Sequence, residues 1–124
     1  MPMETSPAPR FKHAVPTLHV RDAVAAQKFY CDVMGFKPEF MLNDTSGRPH
    51  FAGISRDGVR LYLTTTSSEV HSGECTLVVD DVDAVFAEFK AKGARIKREP
   101  RDVPWGREFS MYDLDGNYPV IGIQ

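Results

Sequence analysis

Apolar residues along this chain switch between two periods, and the switches fall in the same order twice. Residues 15–20 alternate and are β-branched enough for a strand. Asp22 has N-cap chemistry, and after it Ala26, Phe29, Tyr30, Val33 and Met34 recur on one helical face until Gly35 stops the helix. Residues 36–42 return to a strand pattern, and residues 43–48 are a polar loop. Residues 50–55 and 59–65 flank Asp57-Gly58, a strong short-range hairpin signal. A Ser-rich connector covers residues 66–73.

The order then repeats. Residues 74–79 predict a strand, and Asp81 opens a helix with Val82, Val85, Phe86 and Phe89 inward and Gly93 at its end. A short strand at 94–97, a loop at 101–107 around Pro104-Trp105-Gly106, and strands at 108–112 and 117–123 about Asp115-Gly116 complete it. Pro119 within the last strand implies an edge or a bulge there. Val20-Arg21-Asp22 matches Val79-Asp80-Asp81 at an offset of 59 residues, and Asp57-Gly58 matches Asp115-Gly116 at 58. A unit of about 60 residues has been duplicated. The pattern predicts an α+β fold: two βαβββ modules forming a curved mixed sheet, with helices on one face and an open cup on the other. Residues 1–12 read as a flexible N-terminal arm. Residues 13–124 read as a single domain, with module one about 13–66 and module two about 74–124.

Composition narrows the function. The 124 residues, 42% of them hydrophobic, suffice for one domain with a real core. Fifteen basic residues against 17 acidic ones give a net charge of −2, with no basic stripe that would argue for nucleic acid. No apolar run approaches the roughly 18 residues of a membrane span. Residues 1–10 hold three prolines and no apolar core of a secretory signal. Cys31 and Cys75 lack CxxC spacing and read as reduced thiols, which favours the cytoplasm.

Strand alternation separates two faces. Ala14, Leu18, Val20, Val59, Leu61, Leu63, Cys75, Leu77, Val79, Ile121 and Ile123 form an apolar set predicted to pack under the helices. The opposite face carries His13, Val15, Thr17 and His19, then Arg60, Tyr62 and Thr64, then Glu74, Thr76 and Val78, then Tyr118, Val120 and Gly122. Polar heads on aromatic and aliphatic bodies suit a ligand pocket. A wetted sheet face, or one covered by a partner chain, is the plainer alternative.

Val20-Arg21-Asp22 before a helix ending in Phe29-Tyr30, followed by Met34-Gly35-Phe36, resembles the vicinal oxygen chelate superfamily of glyoxalase I, extradiol dioxygenases and bleomycin-resistance proteins. The similarity spans about residues 13–124. Pro104-Trp105-Gly106-Arg107-Glu108-Phe109 and Asp113-Leu114-Asp115-Gly116-Asn117 are most similar to the bleomycin-resistance branch. Metal-dependent members place one ligand on each of four strands. Aligning the repeated motifs puts those positions at Val15, Tyr62, Glu74 and Val120. Only Glu74 is a competent ligand, whereas a catalytic site needs about three plus an open position. His13 and His19 are about 20 Å apart along a strand, and His50 and His71 have no partner spacing. No metal and no cofactor are therefore expected, and no catalytic residue is assigned. No nucleophile elbow, phosphate-binding loop or dinucleotide fingerprint occurs.

The resemblance implies a homodimer that binds a small molecule between its subunits, by stacking on Trp105, Tyr62 and Phe51 and by polar contacts from Arg60, Glu74 and His19. In the resembling resistance proteins an aromatic in the loop of Trp105 walls the cleft. Those proteins tend to be strongly acidic, which this chain is not, so a neutral or anionic ligand is equally open. The rival readings are a divalent-metal-dependent glyoxalase- or dioxygenase-like enzyme and a small interaction module whose cup is filled by a partner.

Overall fold

The computed structural model describes residues 7–65 and 72–123. The first half of the predicted arm (residues 1–6), most of the predicted connector (66–71, with His71), Gln124 and the side chain of Ile123 lie outside the described residues. The chain runs β1 (Thr17–His19), α1 (Ala23–Met34), β2 (Lys37–Asn43), β3 (Pro49–Arg56), β4 (Val59–Thr64), β5 (Glu74–Val78), α2 (Val82–Ala91), β6 (Arg95–Val103), β7 (Gly106–Tyr112) and β8 (Tyr118–Ile123). This is the predicted α+β fold of two βαβββ modules. Each module supplies a four-stranded mixed sheet, ordered β1-β4-β3-β2 and β5-β8-β7-β6. The first strand of each module lies parallel to its last, and the other pairings are antiparallel. The sequence repeat is thus a repeat of topology.

Both helices start by the same device. Asp22 and Asp81 sit in extended backbone and accept 3.0 Å hydrogen bonds from the amides of Ala25 and Ala84. Such caps contribute about 1 kcal/mol each. α1 ends at Gly35, whose φ of 70° is left-handed backbone that glycine adopts without strain. The core lies between helices and sheets. Leu18, Val20, Leu61, Leu63, Leu77 and Ile121 from the strands meet Ala26, Tyr30, Met34, Val82 and Phe89 from the helices in one buried cluster. Alternation therefore separated core from open face, with exceptions at the ends: Ala14 and Val59, expected inside, are exposed.

Two expectations need correction. The short strand at 94–97 and the loop at 101–107 are instead one nine-residue strand, β6, reversing into β7 through Pro104-Trp105 alone. Two bulges in β6 break its alternation, which hid the strand from a period-two reading. Pro119 sits in a central strand and is fully buried. The ladder from β7 ends at Val120, so at Pro119 the strand pairs only with β5 and the missing N–H costs no rung on that side.

Among the described residues, several polar contacts join the modules. Asn117 Nδ2 donates to the carbonyl of His19, and the amide of Arg21 donates to Asp115, each at 2.9 Å. Arg56 donates both to the last-turn carbonyl of Met34 and to Glu88 of α2, at 2.8 and 2.7 Å.

Candidate functional site

Cross-strand register gathers the predicted residues of module one on the face away from the helices. His19, Thr64 and Phe51 form one row, and Thr17, Tyr62, Gly53 and Phe40 form the next. Arg60 lies across from Ser55 in a third. Directly paired residues share a face. Phe40 is the addition that sequence reading missed. Its ring stacks on Phe51 at 5.7 Å and 17°, and meets Tyr62 edge-on at 5.7 Å. It reaches there because Gly53 has no side chain: a Cβ on Gly53 would clash with the Phe40 ring at Cε2, Cδ2 and Cζ. Phe40, Gly53, Tyr62, Arg60 and Glu39 line a cavity of about 140 Å³. The result is an aromatic floor of two nearly parallel phenylalanine rings with the Tyr62 ring inclined to both, and a guanidinium and a carboxylate at its rim. Splitting residues 36–42 into faces, and reading Gly53 as a point of close approach, would have found it.

Module two presents the equivalent face. Thr76, Val120, Ser110 and Arg98 form one row, and Val78, Gly122, Glu108 and Arg101 the next, with Glu74 beside Tyr118. Glu74, Tyr118, Ser110, Glu108, Lys97 and the two arginines line a cavity of about 260 Å³. A hydrogen bond to Glu74, reinforced by that carboxylate's charge, raises the Tyr118 phenol above its usual range. The Lys97 ammonium lies 4.6 Å from the Tyr118 ring centroid. Of the predicted site residues, Phe51, Tyr62 and Arg60 share module one's face with His19, while Glu74 belongs to module two's. Trp105 occupies the β6–β7 hairpin tip, 64% exposed, and lines neither cavity. Tyr118 was expected on this face though not named as a site residue, whereas Lys97, Arg98 and Arg101 were not foreseen here, because only the start of β6, at 94–97, was expected as a strand.

The four metal-ligand positions keep the symmetry of the repeat. Tyr62 pairs with Thr17, two residues after Val15, and Val120 pairs with Thr76, two residues after Glu74. Two valines, a phenol and one carboxylate do not fit a divalent metal. Among the described residues no three His, Cys, Asp or Glu side chains form a group that could hold a metal ion. The Nδ1 atoms of His19 and His50 are buried without a hydrogen-bond partner. Neither thiol has the setting of a nucleophile: burial pushes Cys75 up to about 11 and also raises Cys31. No described helix is long and apolar enough to cross a membrane.

This fold and this paired-face geometry have known counterparts. The chain belongs to the Glyoxalase/Bleomycin resistance protein/Dioxygenase superfamily, whose model matches residues 10–119. No curated protein matches the sequence significantly. Among solved structures it is similar to the bleomycin-binding protein from bleomycin-producing Streptomyces verticillus, complexed with copper(II)-bleomycin. The two share 26% identity and a TM-score of 0.77, over 93% of this chain and 98% of that one. It shares its fold with TioX from Micromonospora sp. ML1, at 23% identity and a TM-score of 0.78, over 91% and 98% of the two chains. It also shares it with TnmS3, an antibiotic binding protein from Streptomyces sp. CB03234, at 24% identity and a TM-score of 0.73, over 90% and 96%.

Proposed function

We propose that this protein is a metal-free small-molecule binding protein of the bleomycin-resistance type, sequestering a polar, partly aromatic ligand without transforming it. The observation that carries this reading is the aromatic floor of Phe40, Phe51 and Tyr62, in which Tyr62 takes one of the four positions where the resembling enzymes need metal donors, the other three being Val15, Glu74 and Val120. The bleomycin-binding protein supports it, with 26% identity over nearly its whole length. The domain of residues 13–124 is the binding unit, acting in the cytoplasm as a C₂ homodimer. Two features favour that dimer. Among the described residues β1 and β5 are edge strands with a strand partner on one side only, and Leu42 and Val78 expose 52% and 55% of their surface on the open faces. Closing one module's face against the other's across the dimer gives a cleft in which Arg60, Glu74 and His19 fix polar groups and Trp105 of the hairpin tip forms a wall.

Sedimentation, elemental analysis and a thermal-shift screen test this together. A dimer without stoichiometric metal is expected, stabilised by flat aromatic compounds, with roughly 2.7 kcal/mol gained at 100 times the dissociation constant. About one tightly held ion per chain would point instead to the metal-dependent enzyme. Absence of a shift across a broad ligand panel would favour a plain interaction module.

A further inference from the structure

β6 is bulged twice, and both bulges turn cations toward the same cavity. Ile96 pairs with Met111 and Arg98 with Ser110, so Lys97 is an extra residue against β7. Arg98 pairs with Ser110 and Arg101 with Glu108, so one more extra residue lies between the two arginines. In a regular strand, positions three apart lie on opposite faces. Here the second bulge puts both guanidiniums on the face of Ser110 and Glu108. A bulge gives up ladder hydrogen bonds, and beside binding sites such irregularities re-aim side chains.

The aimed charges are unspent. Arg21, Arg56 and Arg107 each pair with carboxylates. Among the described residues neither Arg98 nor Arg101 makes an ion pair, although Arg101 sits directly across from Glu108. Lys97, Arg98 and Arg101 outnumber Glu74 and Glu108 in the cavity, and Glu74 already accepts the Tyr118 hydroxyl. A locally cationic pocket on a chain of net charge −2 attracts anions against the overall field.

We propose that this cavity is the anion subsite of the cleft, taking the carboxylate, sulfonate or phosphate group of a ligand whose planar ring lies on Phe40, Phe51 and Tyr62. The proposal rests on the cleft reading above for the ring but not for the anion. Arginine forks bind such groups through paired, charge-assisted hydrogen bonds, with the Ser110 hydroxyl as a further donor.

Amide chemical shifts of the ¹⁵N-labelled protein, followed during titration with inorganic phosphate, naphthalene-2-carboxylate and naphthalene-2-carboxamide, test both halves separately. Phosphate is expected to shift Arg98, Arg101 and Ser110 saturably. The carboxylate is expected to shift these together with Phe51 and Tyr62, and the carboxamide only the latter pair. The double variant Arg98→Gln/Arg101→Gln changes two exposed, unpaired side chains, so the fold stays intact. It should weaken the carboxylate at least about tenfold and leave the carboxamide unchanged. Equal binding of carboxylate and carboxamide, with no phosphate response, overturns the subsite and leaves the cleft standing. Saturation by phosphate without any ring response keeps the subsite and sinks the joint cleft. No response to any of the three overturns both.

Discussion

The Tyr30 hydroxyl, on the helix of the first module, donates a 2.8 Å hydrogen bond to Oδ2 of Asp113, 83 residues away in the turn before the last strand of the second. Both residues are buried. The same carboxylate accepts the amides of Asp115 and Asn117 and the side-chain amide of Asn117, at 2.8 to 2.9 Å. Among the described residues no cation pairs with it; neutral hydrogen-bond donors satisfy it instead. Burial, together with the neighbouring Asp113 charge, raises the Tyr30 phenol well above its ordinary range, so the hydroxyl keeps its proton. The open faces keep their relative placement partly through this joint.

Replacing Tyr30 with Phe leaves the ring packing intact and removes one donor from a buried carboxylate. The expected loss is about 1.5–3 kcal/mol, the range for hydrogen bonds to charged groups. It should appear as a lower urea midpoint with an unchanged slope. A variant within about 0.3 kcal/mol of the parent would show that the contact contributes nothing beyond packing.

Glu88 ties α2 to Arg56, and its hydrogen bond from the guanidinium holds its carboxyl below the ordinary 4.5. A depressed folded value means that this contribution is present above the unfolded value and fades as pH falls through the folded one. The side chains are 33% and 41% exposed, so solvent screening keeps the pair below about 1 kcal/mol. Glu88→Gln should therefore lower the melting temperature slightly at pH 7, and the gap should close below about pH 4. A gap that widens in acid would contradict the assignment. Asp115 works in the opposite sense, because burial raises its carboxyl and its protonation in acid favours the folded state.

Burial pushes the Cys75 thiol up to about 11. At pH 8 only on the order of a thousandth of it is thiolate, the form that reacts. Ellman's reagent should label Cys75 in the native protein orders of magnitude more slowly than in urea, and faster as pH rises toward that value. Rapid labelling of native Cys75, read in a Cys31→Ser background, would show that the site opens more easily than its packing implies.

Helix caps, turn glycines and the duplication were legible in sequence because each is a local signal with a local cause. Asp22, Asp81 and Gly35 act within five residues of where they stand. The faces of β1, β4, β5 and β8 were legible through simple alternation. β6 was legible only at its start, the strand expected at 94–97, because two bulges erase the period that identifies the rest. The same irregularity concealed Arg98 and Arg101, whose shared face depends on pairing with β7 rather than on spacing. Trp105 drew notice through its Pro104-Trp105-Gly106 loop and the resemblance that loop carries, yet it stands at a two-residue turn and is 64% exposed. The resemblance suggested a wall for the cleft; within one chain the turn sets Trp105 at a hairpin tip that lines neither cavity.

Gly53 supports the aromatic floor by absence. The Phe40 ring lies where a Cβ would be, and it stacks on Phe51 and meets Tyr62 from that position. Gly53→Ala forces Phe40 out of the stack, at a cost of about 1–3 kcal/mol typical of overpacking. Phe40→Ala removes the ring without crowding the backbone and serves as the matched comparison. Both variants should weaken binding of a flat aromatic such as naphthalene-2-carboxamide, by about tenfold for a lost stacking partner. In the double variant, Gly53→Ala should add little further loss of affinity, since its effect runs through Phe40. If Gly53→Ala alone leaves aromatic binding unchanged while lowering stability, the ring over Gly53 is core packing and the floor of the cleft lies elsewhere.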